Sequence, residues 1–187
     1  TLILKGVDLH VAASGQGPAR SVRVGEITHH SLPLGSSRFS IEPSKAVLGP
    51  VAELLRALRP DIVHVHGTES VHGAIALSVF GAERTLISIQ GLLSKVVSRY
   101  YGGLALSSIL GMTRPAEIVL GSGLIEGKRR MQAAAEREVR TLRRGRHVAG
   151  RTLWDRGFLR AVNPKAEYHE CHEAMRPEIF AGRGGGG

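Results

Sequence analysis

The 187-residue sequence has little cysteine and few aromatic residues: one Cys, one Trp, three Tyr and four Phe. Because Cys171 is the only cysteine, the sequence excludes a disulfide framework and an all-cysteine metal site. The scarcity of aromatic rings argues against a surface that binds nucleic acids by base stacking. These absences favour a globular domain of a reducing compartment.

Long apolar runs and phosphate-binding glycine motifs are also missing. The longest apolar run, Gly73 to Ala82, is about half of the ~20 residues that a membrane-spanning helix needs. No Gly-x-Gly-x-x-Gly motif follows a strand, since Gly15-Gln16-Gly17 leads into Pro18, and no Gly-x-x-x-x-Gly-Lys-Ser/Thr motif occurs. We therefore expect no transmembrane span and no dinucleotide or nucleoside triphosphate site of these types.

Positive charge is abundant and is concentrated in one segment. The chain holds 25 Lys and Arg against 16 Asp and Glu, a net charge of +9, and residues 126–151 account for +6 of it. The pattern predicts a long helix over 126–144, with a thin apolar stripe that docks on a sheet and a solvated basic face. An arginine-rich face also suits phosphates or anionic lipid head groups, so three interpretations stay open: a solvated surface, a membrane contact and a nucleic-acid contact.

Short β-rich runs alternate with helical patterns, which predicts an α/β fold with a parallel sheet flanked by helices. Strands are predicted over residues 8–13, 22–32 (with an irregular leading part), 62–66, 85–89, 147–149 and 166–169. Helices are predicted after Ser44 (with Pro50 inside, so that its first turn is separate or kinked) and over 70–80, 92–101, 126–144 and 154–162. Residues 36–43 are predicted as a loop, 181–187 as a flexible tail, and 104–125 remain unassigned.

The segment from Arg59 to Glu69 predicts a strand that ends in His66-Gly67 and leads to a helix. Strand alternation places His64 and His66 on one face and the intervening Val65 on the other. For His64 the pattern favours local packing and hydrogen bonding. A His-x-His metal pair is the alternative, with Glu69 and His72 nearby but no evident third ligand.

Two further strand ends carry polar groups. After the strand at 85–89, Gly91 allows close approach of the backbone to a ligand and Gln90 suits a hydroxyl group, although a simple solvent-facing turn fits as well. After the strand at 147–149, Thr152 is predicted to cap a helix with Asp155, and Arg151 suits an anion or sugar-phosphate group. A local ion pair between Arg151 and Asp155 is the alternative.

The carboxyl ends of parallel strands meet at the edge where open α/β sheets bind ligands. The predicted substrate-binding residues are those that follow these three strands: His66, Gly67, Glu69, Gln90, Gly91, Arg151 and Thr152. No catalytic residue is assigned, and no metal ligand is predicted.

Four segments resemble the N-terminal domain of family 4 glycosyltransferases, the retaining two-domain GT-B type: Arg59–Gly67, Ile87–Leu92, Gly150–Arg156 and Asn163–His169. The resemblance implies a Rossmann-like lobe over residues 1–180, incomplete at both ends, that forms the acceptor side of the cleft. It implies transfer of a sugar from a nucleotide-sugar donor to a sugar or lipid-linked glycan acceptor, with retention and with no metal or cofactor.

In that family the donor is held mainly by a C-terminal domain, so the resemblance implies that this chain alone lacks turnover. Gln90 stands where many members have His, and Gln cannot titrate, so its expected role is hydrogen bonding to the sugar. The resemblance also implies polysaccharide biosynthesis in the cytoplasm, with peripheral contact to the anionic inner face of the membrane and no nucleic acid. The alternative function is a basic α/β binding module for anionic membrane or nucleic acid.

Overall fold

The computed structural model describes residues 6–15, 17–33 and 45–171, which contain seven strands and seven α-helices. The strands are β1 Leu9–Ser14, β2 Arg20–Val24, β3 Ile27–Leu32, β4 Val63–His66, β5 Thr85–Ser88, β6 His147–Gly150 and β7 Glu167–Glu170. The helices are α1 Lys45–Leu58, α2 His72–Val79, α3 Leu93–Val96, α4 Leu106–Met112, α5 Pro115–Val119, α6 Leu124–Arg144 and α7 Leu153–Val162. A 3₁₀ turn, Val97–Arg99, continues α3.

Four of the strands form a parallel sheet in the order β4-β5-β6-β7, with helices between successive strands. One row of paired residues, Val65, Ile87, Val148 and Tyr168, crosses this sheet from β4 to β7. The first three side chains of the row are buried, because helices cover that face. The Rossmann-like α/β prediction is confirmed.

The first three strands form a separate sheet in the order β1-β3-β2. β1 pairs parallel with β3, and β2 pairs antiparallel with it. The strand predicted over 22–32 is confirmed at β3, but its leading part is a second strand rather than irregular, because Gly25, with φ +60°, and Glu26 make a two-residue turn between β2 and β3. The left-handed conformation that glycine adopts readily folds the chain back on itself there.

α6 is the long basic helix that the sequence predicts, and its buried stripe includes Ala134, Ala135 and Leu142. Leu142 packs in a core cluster with Val148 of β6, so the predicted docking on the sheet is confirmed. The expectation that the charged residues of this helix are solvated is wrong at two positions, Arg137 and Glu138, which are 2% and 0% exposed.

The remaining elements follow the predicted order. α1 is one helix that continues through Pro50, without a separate first turn. The unassigned stretch holds the short helices α4 and α5. The Ser44 cap, the loop at 36–43 and the tail at 181–187 lie outside the described residues. Within the described part of the chain, no helix combines the length and the apolar character that crossing a membrane requires.

Candidate functional site at the carboxyl edge of the parallel sheet

The loops that follow β4, β5 and β6 are bonded to one another. The N–H of Gly67, just after β4, donates to the carbonyl of Ser88 at the end of β5 over 3.0 Å. The Thr68 hydroxyl lies 3.1 Å from the carbonyl oxygen of Gly91. The guanidinium of Arg151, just after β6, donates to the carbonyl of Gln90 over 2.8 Å. Three segments that are distant in sequence therefore form one continuous edge.

Glycine at position 67 meets two local requirements. Its φ is +86°, in the left-handed region that favours glycine, and an added Cβ would collide with the carboxylate of Glu69. The turn therefore folds the Glu69 side chain back over the end of β4. At the equivalent place after β5, a Cβ on Gly91 would meet open space.

The buried carboxylate of Glu138, on α6, hydrogen-bonds the segments that follow β4 and β5. Glu138 Oε1 lies 2.6 Å from the Thr68 hydroxyl and accepts the N–H of Leu93 over 3.2 Å, while Oε2 accepts the N–H of Ser94 over 2.9 Å. A carboxylate without exposure to water is costly unless such donors surround it. Glu138 therefore fixes the loop after β4 and the start of α3 relative to each other.

Arg137, the residue before Glu138, holds the same loop from a second side. It is 2% exposed, and its guanidinium donates to the carbonyl of Glu69 over 3.0 Å. Two adjacent charged residues of α6 thus bind the segment between β4 and α2. Sequence reasoning missed both, since each partner is about 70 residues away and no local motif marks the pair.

The histidines of β4 lie as the alternation predicts. Val65 is buried, whereas His64 and His66 share the other face with ring centroids 4.2 Å apart. His64 Nε2 lies 2.6 Å from Ser88 Oγ, which confirms local hydrogen bonding. Burial, and secondly the neighbouring His66, lowers the pKa of His64 below its ordinary value. Across the described residues, no metal-ligand group of three includes this pair.

His72, the first residue of α2, connects the two sheets. Its Nε2 lies 3.1 Å from Ser14 Oγ at the end of β1, and its Nδ1 lies 2.9 Å from Ser70 Oγ. Burial lowers the pKa of His72; Glu69 acts in the opposite direction and Arg137 in the same one. The carboxyl end of β1 is thereby joined to the edge formed by the other loops.

The predicted cap of α7 is confirmed as a reciprocal capping box. The Asp155 N–H donates to Thr152 Oγ1 over 3.1 Å, and Asp155 Oδ2 accepts the N–H groups of Thr152 and Arg151 over 3.1 and 3.0 Å. The backbone N–H groups of Arg151 and Thr152, at the start of α7, are therefore bonded to Asp155 rather than open to an anionic ligand. The Tyr168 hydroxyl adds a bond to the Thr152 carbonyl over 3.1 Å.

The predicted site residues thus lie along one edge, although they differ in exposure. His66 and Gln90 have exposed side chains, Gly67 is buried, and Glu69 and Arg151 are partly buried. The edge offers imidazole, amide, carboxylate and guanidinium groups, which together suit a ligand rich in hydroxyls and bearing negative charge.

One family model matches the chain, and its description is glycosyl transferase 4-like. The match covers residues 1–97, just over half of the 187 residues. It includes the loops after β4 and β5 and ends before Arg151 and Thr152. No curated protein matches the chain significantly.

Proposed function

Since the chain belongs to the glycosyl transferase 4-like family, we propose that it forms the acceptor side of the cleft in a retaining GT-B glycosyltransferase. Membership of the family gives a glycosyltransferase-type function, with sugar donor and acceptor as substrates. The retaining mechanism, the nucleotide-sugar donor and the acceptor role of this lobe are the parts that we propose.

The observation that carries the proposal is the bonded edge formed by the loops after β4, β5 and β6. Open α/β sheets bind ligands at the carboxyl ends of their strands, because loops from several strands converge there. Preorganised loops lose little conformational freedom when a ligand binds, which favours affinity. An acceptor sugar fits such a surface of fixed donors and acceptors.

We assign three roles within this edge. The Gln90 amide hydrogen-bonds an acceptor hydroxyl, and the exposed Gly91 backbone lets the sugar approach closely. Arg151 binds a phosphate on the acceptor, such as the diphosphate of a lipid-linked glycan, because a guanidinium matches phosphate oxygens well. His66 and Glu69 flank the acceptor on the β4 side.

We propose no protein nucleophile on this lobe. Gln90 cannot exchange a proton at neutral pH, so the loop after β5 positions the sugar rather than acting as an acid or base. The nucleotide of the donor binds mainly on a second domain of the full-length enzyme, and neither a metal nor a cofactor enters the transfer step.

An anionic membrane at the cytoplasmic face is the proposed peripheral partner. Apolar side chains on and just before α4 are more than half exposed: Leu104, Leu106, Leu110 and Met112. With the net charge of +9, this apolar surface favours adsorption to acidic lipids over adsorption to neutral ones. A membrane-bound enzyme of polysaccharide biosynthesis would meet a lipid-linked acceptor there.

The test is a transfer assay on the full-length protein with UDP- and GDP-sugars. Release of UDP or GDP that depends on a lipid-linked or free glycan, with product of retained anomeric configuration, supports the proposal. Inverted product, or no nucleotide release from any donor, contradicts it. Sedimentation with vesicles of anionic and neutral lipid tests the membrane contact, and equal binding to both would exclude the charge-driven part.

A further inference from the structure

A cluster of metal-ligating side chains lies on the parallel sheet away from the carboxyl edge. His147 is the first residue of β6, and Glu167 is its register partner and the first residue of β7. His169 lies two residues further along β7, on the same face as Glu167. The cluster sits toward the amino ends of these strands, opposite the candidate acceptor site.

The three side chains present their ligand atoms to one point. His147 Nδ1 is 3.2 Å from His169 Nε2 and 3.4 Å from Glu167 Oε2. One ligand atom from each residue lies within 4.8 Å of the other two. A tetrahedral zinc ion with bonds of about 2.0–2.1 Å separates its ligand atoms by about 3.4 Å. Two of the three distances between the ligand atoms, both from His147 Nδ1, are therefore already close to this value.

The surroundings fix the carboxylate in a suitable orientation. Arg146 Nη2 lies 3.4 Å from Glu167 Oε1 and its Nη1 lies 3.2 Å from Glu83 Oε1, so Oε2 of Glu167 is left toward the histidines. Hydrogen-bonded partners of this kind commonly orient the ligating groups of metal sites. The side chains of Glu167 and His169 are exposed, so they have room to move until their ligand atoms are also about 3.4 Å apart.

We propose that His147, Glu167 and His169 bind a divalent transition-metal ion, with zinc as the best match. Two imidazoles and one carboxylate suit zinc, nickel or copper, whereas magnesium and calcium prefer oxygen ligands. The ion bridges β6 to β7, which is the edge strand of the four-stranded sheet. Its role is to fasten that edge, and a water molecule completes its coordination.

Sequence reasoning missed this cluster because His147 and His169 are 22 residues apart and belong to different strands. Within one strand, the His-x-His spacing of His64 and His66 is visible in the sequence as a possible metal pair. Across two strands, only the pairing register reveals that His147 and Glu167 are neighbours.

Zinc titration of the full chain at pH 7.5 tests the proposal, because zinc binds imidazole nitrogens that carry no proton. Competition against a chromophoric zinc indicator should give one ion per chain bound at micromolar or lower Kd. Zinc at 100 times that Kd should raise Tm by roughly 5–10 °C, whereas magnesium should not. Zinc binding needs no sugar transfer, so this result is independent of the proposed function.

The variants H147A, H169A and E167Q should each weaken zinc binding by at least about 100-fold, since losing outer partners alone typically costs about 10- to 100-fold. The matched control is H66A, which removes an exposed histidine of β4 and should leave the affinity unchanged. The proposal is overturned if H147A and H169A bind zinc as tightly as the wild type does. Loss of zinc binding in H66A, or a millimolar Kd for the wild type, would overturn it as well.

Discussion

The Glu138 carboxylate and the Thr68 hydroxyl, 70 residues apart in the chain, lie 2.6 Å from each other in the interior. This contact places a charged group of α6 directly under the loop that follows β4. The same carboxylate accepts two N–H groups at the start of α3, after β5. The shape of the candidate acceptor surface therefore depends on a residue that does not belong to it.

Replacing Glu138 by Ala should lower the free energy of unfolding by about 2–4 kcal/mol, because one hydroxyl and two N–H groups lose a buried acceptor. Urea denaturation measures this loss. Glu136 on the same helix is exposed, and E136A should change the stability by no more than about 0.5 kcal/mol. Similar losses in both variants would show that the buried hydrogen bonds of Glu138 contribute little.

The capping box of α7 predicts a smaller effect at Thr152. T152A removes the oxygen that accepts the Asp155 N–H and should cost about 1 kcal/mol, the usual value for an N-cap. T152S keeps a hydroxyl oxygen and should recover most of that stability. Thermal unfolding of the three proteins distinguishes the cases, and a serine variant as unstable as the alanine variant would argue against the cap.

The two glycines that follow β4 and β5 should respond differently to Ala. G67A forces a left-handed backbone conformation, φ +86°, on a residue with a Cβ, so a loss of about 1–2 kcal/mol is expected, while the flexible Glu69 side chain can move away from the new methyl group. A Cβ on Gly91 meets nothing within 4 Å, so G91A should fold as well as the wild type. Urea denaturation of both variants measures the difference.

The proposed approach of the acceptor to Gly91 adds a functional readout to the same substitution. In the full-length enzyme, G91A should reduce transfer to the acceptor because the new methyl group occupies space that the sugar needs. A stable G91A enzyme with wild-type transfer would remove Gly91 from the proposed contact surface.

Among the described residues, three histidines have lowered pKa values, His30, His64 and His72, and they predict loss of stability in acid. His64 and His72 ordinarily titrate near 6.5, and burial favours their neutral forms in the folded chain. The folded protein therefore binds fewer protons than the unfolded chain below about pH 6.5. Their contribution to stability is complete above that pH and is lost as the pH falls toward the lowered values.

Urea denaturation between pH 5 and 8 in the presence of a chelator tests this dependence. The double variant H64Q/H72Q should show a shallower fall in stability below pH 6.5 than the wild type. A double variant with an unchanged slope would place the acid sensitivity elsewhere in the chain.

Local patterns in the sequence predicted most of the parallel sheet. The alternation around Val65 and the glycine after His66 define β4 and its end, and the Thr152–Asp155 spacing defines the start of α7. Each of these signals lies within a few residues of the structure that it determines. The hairpin at Gly25 was missed because apolar residues continue on both sides of the turn and resemble one longer strand.

The contacts of Arg137 and Glu138 with the loop after β4 could not be predicted from the sequence, for a physical reason. Arg137 and Glu138 belong to a helix whose composition is typical of a solvated surface, and only tertiary packing brings them against Thr68 and the Glu69 carbonyl. Charged residues are rarely buried unless they are paired or hydrogen-bonded. Partners about 70 residues away leave no local signal of that pairing.

The acceptor role of the edge at β4, β5 and β6 is tested most directly through Arg151. In the full-length enzyme, R151A should lower transfer to a phosphate-bearing acceptor by about 10-fold or more, the usual weight of a hydrogen bond to a charged group. Hydrolysis of the nucleotide sugar without acceptor should stay at the wild-type rate, and R156A, an exposed arginine of α7, should change neither activity. If R151A abolishes donor hydrolysis, or leaves acceptor transfer intact, this edge is not the acceptor side of the cleft.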